Sequence, residues 1–542
     1  MPLSPQPVPA ARPARVLRSA ALVGGLTAVS RVTGLLREML MSRCFGTGVA
    51  KSAFNVAFQI PNLFRRLFGE GALSAAFVPV FTETLEREGI EAANRLTGRV
   101  AGLLVAVLGV ITALGILVAL ALQHTVCAPD SRWAAIMPLL RIMMPYAPLI
   151  CLAALSMGVL NAMRQFAVPA LAPVLLNLVM IVAIVAVCPL LPNDPMLRIR
   201  VVSWSVLVAG ALQVVVQLPP LARRGVKPQM LFSWRGDAAL GRILKTMAPM
   251  MVGVSVVQIY VAMDGVIAMW AADWAPAVLG YAETIAYLPL GLIGNAFGTV
   301  LLPTFSRQVV ANDFDAVRDT LEHALRNALI VTAPAAVALT VLALPVVEVI
   351  YLSPPGRFTH QDAIWTMRAL AGLAPGLLFF SVQKVLTPVF YAFKDTRTPL
   401  RISLWGVGLN FALNILFVVT WPQGWKHVGL VVSTVIASAI NSVALGHELH
   451  RRIGAPRWRA WAPTAVGVAV AMLGMGLAAF EAHVWLDAAI RQAVHVEKFV
   501  QILALAGAAG VSFAVYLLLM RLLCRRELGA VTGELLQRRR RR

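Results

Sequence analysis

Charge is what this sequence has least of, and acid least of all. Asp, Glu, Lys and Arg make up 13% of the 542 residues, with 25 acidic residues against 47 basic ones, while 59% of the chain is hydrophobic. A soluble domain wets its surface with about twice that share of charge, so a soluble globular protein is excluded. There is no GxxxxGK[ST] stretch, which removes ATP hydrolysis on a phosphate loop. The five cysteines, Cys44, Cys127, Cys151, Cys188 and Cys524, form no CxxC pair or metal-ligand spacing and read as packing residues. The histidines are scattered, and HELH at 447–450 lacks the HExxH zinc spacing. A formal charge of +22 could suggest nucleic acid, but no basic stretch is interleaved with aromatics for base stacking. The opening MPLSPQPVPAAR is Pro-rich and is expected to be disordered. It is not read as a signal peptide, because the apolar stretch behind it is too long and is interrupted by Arg31 and Arg37.

What is present is apolar and repetitive, with a mean hydropathy of +0.77. Apolar runs of roughly twenty or more residues recur from end to end, each long enough to cross a hydrocarbon core of about 30 Å. They predict an all-α membrane protein of about fourteen spans, beginning 15–43, 52–86, 94–124 and 133–163, including 361–393 in the second half, and ending 497–524. Lys and Arg cluster in alternate connections: Arg12/Arg15/Arg18, Arg87/Arg95/Arg99, Arg164, Arg223/Arg224/Lys227, Arg307/Arg318, Lys394/Arg397, Arg451/Arg452/Arg457 and Arg538–Arg542. The connections between them, such as PLLPNDP and AADWAP, carry few. That alternation predicts cytoplasmic termini. The connections on the other face are short and leave little room for catalysis, so the chain is not expected to be an enzyme.

The segment RRGVKPQMLFSWRGD at 223–237 reads as a joint between two lobes, and an internal repeat supports it. GALSAAFVPVFTETLEREGIEAANRL (71–96) is echoed by NAFGTVLLPTFSRQVVANDFDAVRDTL (295–321). NAMRQFAVPALAPVLLNLV (161–179) runs parallel to YAFKDTRTPLRISLWGVGLNFAL (391–413), with Pro169 against Pro399 and Asn177 against Asn410. The expected organisation is a disordered tail (1–14), a first six-helix lobe (15–225), a second (226–456), two added helices (457–524) and a basic tail (525–542). Pseudo-symmetric pairs of this kind commonly work by rocking around a midplane site.

Some charges sit where they should be expensive. Arg65, in NLFRRLFGEGALSAAF, is expected about 20 Å deep in its span, where an arginine costs from about 2.5 to above 10 kcal/mol unless it faces a bundle interior or a watery cavity. Arg66 and Glu70 are at i, i+4 and could pair, which leaves Arg65 with no local partner. Pro61 bends the helix ahead of this point, and Gly69 and Gly71 loosen it. In SRVTGLLREML, Arg31 and Glu38 share a face, while Arg37 points away from Arg31. Four arginines against two glutamates leave positive charge in the first lobe, and guanidinium forks suit a phosphate or diphosphate. Internal salt bridges pinning the first two helices are the structural alternative. A second polar group holds Asp264, Asn410, Asn414 and Thr434. One carboxylate with amide and hydroxyl oxygens is a ligand set for a small hard cation such as Na⁺, and helix-to-helix hydrogen bonding is the alternative. Lys384 is a further candidate as a buried cation.

These stretches carry a resemblance. SRVTGLLREML, FGTGVAKSAFNVAFQIPNLFRRLFGEGALSAAFVPVF and GNAFGTVLLPTFS resemble the MurJ/MviN family, lipid II flippases of the multidrug/oligosaccharidyl-lipid/polysaccharide exporter superfamily, over nearly the whole chain. The resemblance implies a fourteen-helix inner-membrane protein with a central cationic cavity and a lipid-tail groove on its last two helices. Its cargo would be an undecaprenyl-diphosphate-linked peptidoglycan precursor. It also implies Arg31, Arg37, Arg65 and Arg66 as cavity arginines, Glu38 and Glu70 as their acidic neighbours, and Asn62 as the family's asparagine. Asp264, Asn410, Asn414 and Thr434 would form a sodium site for a coupling ion, and no other cofactor is expected. Ser52 and Thr284 depart from the family pattern, where an acid and an arginine are usual, and Lys384 is the candidate for the missing second-lobe contact. Partners would be membrane lipids and the cell-wall synthesis machinery. The rival readings are an exporter of another polyprenyl-linked glycan or a drug, and a non-transport scaffold for cell-wall enzymes.

Overall fold

The computed structural model describes residues 13–125, 128, 131–234, 237–454, 458–493, 496–525 and 529, without side chains at 13–21, 69–72, 74, 249, 252–254, 256–257, 292–300, 458–461 and 493. Most of both expected tails, Cys127, Arg457 and the Glu70 side chain lie outside what is described. Among the described residues every regular element is helical. By packing the chain divides into two compact units, the first holding the chain up to Met41 with Ala53–Ala262, the second Ser42–Ser52 with the chain from Met263 onward.

The first unit is built from α1 (Pro13–Phe45), α2 (Val49–Phe64), a π-helical segment (Arg65–Ala72), α3 (Leu73–Glu88), α4 (Ile90–Thr125), α5 (Arg132–Met143), α6 (Tyr146–Ala162), α7 (Ala167–Val182), α8 (Pro195–Val215), α9 (Leu218–Ala222) and the start of α10 (Ala238–Ala271). α6 lies at its centre, packed against α3, α4 and α8, around fully buried Phe77, Phe81, Leu108 and Tyr146. The connection at 223–237 is not a free linker. The Leu231 amide donates to Gly98 O (2.9 Å), Asn94 Nδ2 donates to Gly225 O (2.9 Å), and Arg99 pairs with Asp237. Asp237 also caps α10 by accepting from the amides of Ala239 and Leu240. Burial would raise the Asp237 carboxyl, but the Leu240 amide and the Arg99 guanidinium outweigh that and hold it below its ordinary value.

The second unit holds the rest of α10, then α11 (Ala275–Val310), α12 (Phe314–Val341), α13 (Ala343–Tyr351), α14 (His360–Leu373), α15 (Gly376–Ala392), α16 (Arg397–Thr420), α17 (Lys426–Ile453), α18 (Trp458–Ala493) and α19 (Glu497–Leu523). The Ser42–Ser52 stretch is locked into it. Tyr281 Oη donates to Gly46 O (2.9 Å), the Arg357 amide donates to Arg43 O (3.0 Å), and Thr47 donates to Asp362. Gly46 sits at φ +60°, and a Cβ there would lie 2.6 Å from the Arg357 carbonyl oxygen, so two constraints select glycine in the FGTG motif.

The repeat read from the sequence reappears as local geometry in each unit. α5 and α6 are bent by 42° just before Pro145, and α14 and α15 by 41° just before Pro375; proline cannot continue the hydrogen-bond ladder. α6 ends on a left-handed residue, Arg164 (φ 60°), and α15 on Lys394 (φ 58°). The two spans expected as continuous over 133–163 and 361–393 are therefore broken in the same way.

Among the described residues, eight helical stretches are long and apolar enough to cross a membrane, or ten if each bent pair counts as one. This is fewer than the sequence count, because α1, α2–α3, α10 and α11 either carry the charges singled out above or include side chains that are not described. The chain is a multi-pass membrane protein.

Candidate functional site

The first unit presents its guanidinium groups from a weakened helix. Pro61 removes one amide donor from α2, and from Arg65 the chain winds as a π-helix through Ala72, the stretch that contains Gly69 and Gly71. Such segments put side chains where a regular helix cannot, and they concentrate at functional sites. Arg65 Nε donates to Asn62 Oδ1 at 2.7 Å, so the expectation of no local partner is corrected: the i, i+3 amide supplies one. Arg66 Nη1 donates to Gln258 Oε1 at 3.3 Å. Its expected pairing with Glu70 falls on a side chain outside the description.

On α1, Arg37 reaches Glu38 Oε1 at 2.7 Å through Nη2, while its Nη1 donates to Asn177 Oδ1 at 2.9 Å. Glu38 is buried and Arg37 half-buried. Asn177 is fixed in turn, donating from Nδ2 to Ser30 O (3.1 Å) and Thr33 Oγ1 (3.2 Å). Arg37 is thus held by one carboxylate and one oriented amide. Arg37 and Arg65 both act electrostatically on the Tyr146 hydroxyl, a fully buried group with no hydrogen-bond partner among the described residues. Arg31 lies exposed on the same helix as Arg37. Asn177, Gln258 and Tyr146 were not among the predicted site residues. The Asn177/Asn410 parallel pointed at the first, and nothing local in the sequence pointed at the other two.

In the second unit the four predicted cation-site residues come together. Asn414 Nδ2 donates to Asp264 Oδ1 (2.6 Å) and Asn410 Oδ1 (2.9 Å), and Asn410 Nδ2 donates to Thr434 Oγ1 (3.1 Å). Ser433, a residue not predicted, donates its hydroxyl to Asn414 Oδ1. Asn410 and Asn414 are buried, at 4% and 0% exposure, deep enough that each polar atom needs a partner. One carboxylate with amide and hydroxyl oxygens fits a hard cation, provided an amide turns its oxygen inward. No cluster of three or more His, Cys, Asp or Glu occurs among the described residues, so a transition-metal centre has no ligand set there.

Lys384 corrects an expectation. It lies exposed on α15, in the second unit, and is not a buried cation. Ser52 is buried and donates to Thr47 O (3.5 Å), and Thr284 donates within α11 to Gly280 O (2.8 Å).

The family profile described as "Lipid II flippase MurJ" matches residues 41–503. The chain belongs to the MurJ family. Among MurJ relatives, the lipid II flippase of Burkholderia cenocepacia is 34% identical over 471 residues, covering 85% of this chain and 89% of that one. The probable lipid II flippase of Rhizobium tropici is 35% identical over 435 residues, covering 79% and 80%. In fold, the chain is similar to a solved structure of the lipid II flippase MurJ in an inward closed conformation. That match has a TM-score of 0.73 at 21% identity and covers 93% of this chain and 99% of that one. An inward-facing multidrug-resistance transporter of the MATE family, from the MOP superfamily, matches at a TM-score of 0.65 and 14% identity, covering 78% and 95%. Arg31, Arg37 and Glu38 precede the MurJ profile match, while Asn62, Arg65, Arg66 and the Asp264 network fall inside it.

Proposed function

We propose that this chain is a lipid II flippase of the bacterial inner membrane. It carries the undecaprenyl-diphosphate-linked disaccharide-pentapeptide from the cytoplasmic to the periplasmic leaflet by alternating access, with no covalent step. The observation that supports this best is the set of held guanidinium groups in the first unit. Arg37 is fixed by Glu38 and Asn177, Arg65 by Asn62, and Arg66 by Gln258. A guanidinium carries five N–H donors in a planar fork, so one held in place by a neighbour is pre-oriented for a phosphate. A diphosphate accepts paired hydrogen bonds from such forks and leaves water with less loss than it would elsewhere in the bilayer.

In this reading Arg31, Arg37, Arg65 and Arg66 contact the diphosphate, with Glu38, Asn62 and Glu70 holding them, while Lys384 serves the second lobe. The chain crosses the membrane fourteen times with both termini cytoplasmic. Its six-helix lobes are 15–225 and 226–456, rocking around a central cationic cavity. The added helices of 457–524 offer the tail its groove: α18 and α19 pack closely through Gly474 and Gly507 and expose Leu473, Leu477, Phe480 and Trp485. Asp264, Asn410, Asn414 and Thr434 would hold Na⁺, which supplies a charge that biases one state over another. The membrane potential offers about 2.3 kcal/mol per charge per 100 mV as a second bias. Cell-wall synthesis enzymes are the expected partners.

The test is rescue of cells depleted of their own lipid II flippase. The parent chain should restore growth. Arg65→Ala should fail to do so while accumulating folded in the membrane at the parent level, and normal growth on that variant sinks the proposal. A parent chain that is folded but fails to rescue points instead to another polyprenyl-linked cargo.

A further inference from the structure

A cationic pocket lies in the first unit, with no residue of the π-helical segment in its lining. A cavity of about 430 Å³ opens between α4, α5 and α8, lined by Gln123, Pro138, Arg141, Ile142, Arg200 and Trp204. Arg141 is nine residues into α5 and Arg200 five residues into α8, which places them about 14 and 8 Å from the starts of those helices. Among the described residues neither guanidinium has an ion-pair partner, although an intramembrane arginine normally finds one. Gln123 Oε1 is buried with no donor to satisfy it. The walls are otherwise apolar, and they continue into faces with no protein cover: Leu117 on α4 is 60% exposed, and Trp204 and Val208 on α8 are 56% and 52% exposed.

We infer that this pocket binds the headgroup of an anionic glycerophospholipid. Two guanidinium groups meet a phosphodiester, which neutralises charge that the hydrocarbon would otherwise penalise. The orphaned Gln123 oxygen accepts from a hydroxyl on the headgroup alcohol. The acyl chains run along the exposed faces of α4 and α8, where Leu117, Trp204 and Val208 are uncovered. The ligand is therefore a phosphodiester with a hydroxylated headgroup and a lipid tail. A free phosphate would satisfy the arginines and leave the apolar walls and Gln123 unused. Such a lipid would bind whatever cargo the chain moves.

Native mass spectrometry of the full chain in detergent tests this, with phosphatidylglycerol, phosphatidylcholine and inorganic phosphate as the three probes. The parent should retain phosphatidylglycerol about tenfold better than phosphatidylcholine, and excess inorganic phosphate should not displace it. Arg141→Gln with Arg200→Gln should abolish the preference. Arg200→Gln alone, at an exposed position where packing is not at risk, should reduce it at least about threefold. An unchanged preference in the single and double variants, or full displacement by inorganic phosphate, overturns the assignment.

Discussion

Asn177 and Asn410 lie in matching stretches of the repeat, yet they serve opposite charges. Asn177 presents its oxygen to the Arg37 guanidinium. Asn410 presents its oxygen to Asn414, which donates to the Asp264 carboxylate. One duplicated amide has thus become part of a cationic cluster in the first unit and of an oxygen-rich cluster around an acid in the second. The spacing has shifted as well, from eight residues after Pro169 to eleven after Pro399, about one helical turn. An amide can donate or accept, so it is the polar residue that survives when the charge beside it changes sign.

Substitutions can break that contrast. The largest expected effect is Asp264→Asn, which removes the carboxylate from the second unit's network. Any Na⁺ dependence of flipping in reconstituted vesicles should weaken by at least about tenfold, or 1.4 kcal/mol. A variant with the parent's Na⁺ profile would make the network a helix-packing device. Next, Asn177→Ala leaves Arg37 with Glu38 but without its orienting amide. A hydrogen bond to a charged group contributes about 1.5–3 kcal/mol, so flipping should fall about tenfold with Na⁺ dependence intact. Gly46→Ala sharpens the comparison in the backbone, since the FGTG turn holds Ser42–Ser52 within the second unit. Strain of about 1–3 kcal/mol should lower the thermal midpoint by several degrees and leave exchange protection of α6 and α8 in the first unit nearly unchanged.

The smallest effect concerns the paired turns at Arg164 and Lys394. In the second unit Asp395 ties the turn by accepting from the Thr398 amide (3.0 Å) and hydroxyl (2.7 Å) and pairing with Arg452. The first unit has Gln165 at the matching position. Burial works to raise the Asp395 carboxyl, but the Thr398 and Arg452 bonds prevail and hold it far below its ordinary value. A lowered carboxyl stabilises fully above its unfolded value of about 3.9 and loses that contribution as pH falls toward the folded value. Hydrogen exchange should therefore speed up below about pH 4 over 390–398 and not over 160–168. Equal acceleration in both turns would remove Asp395 as the cause.

What the sequence made legible was whatever had a local signature. Arginines inside an apolar run, the parallel prolines and asparagines, and the oxygen-rich foursome around Asp264 all show as types in the wrong surroundings. The partners supplied by remote helices had no such mark. Gln258 lies 192 residues from the Arg66 it contacts, and Ser433 looks like any small residue of a packed helix. Asn62 was within reach, since i, i+3 neighbours share a helix face, but attention to opposite charge passed over a neutral acceptor. Lys384 was misjudged because an apolar neighbourhood in sequence does not say which face of α15 is covered.

Pro334 has no amide hydrogen, so within α12 the Ile330 carbonyl is left without its helical donor. The Tyr516 hydroxyl, from α19, fills that gap at 2.8 Å, and Lys498 Nζ on the same helix donates to Glu348 O at 2.7 Å. Removing the final hairpin would therefore leave the Ile330 carbonyl unpaired inside the span rather than trim an appendage. A shortened version ending before Trp458 should be cleared by cellular quality control, whatever the hairpin contributes to the cargo's tail.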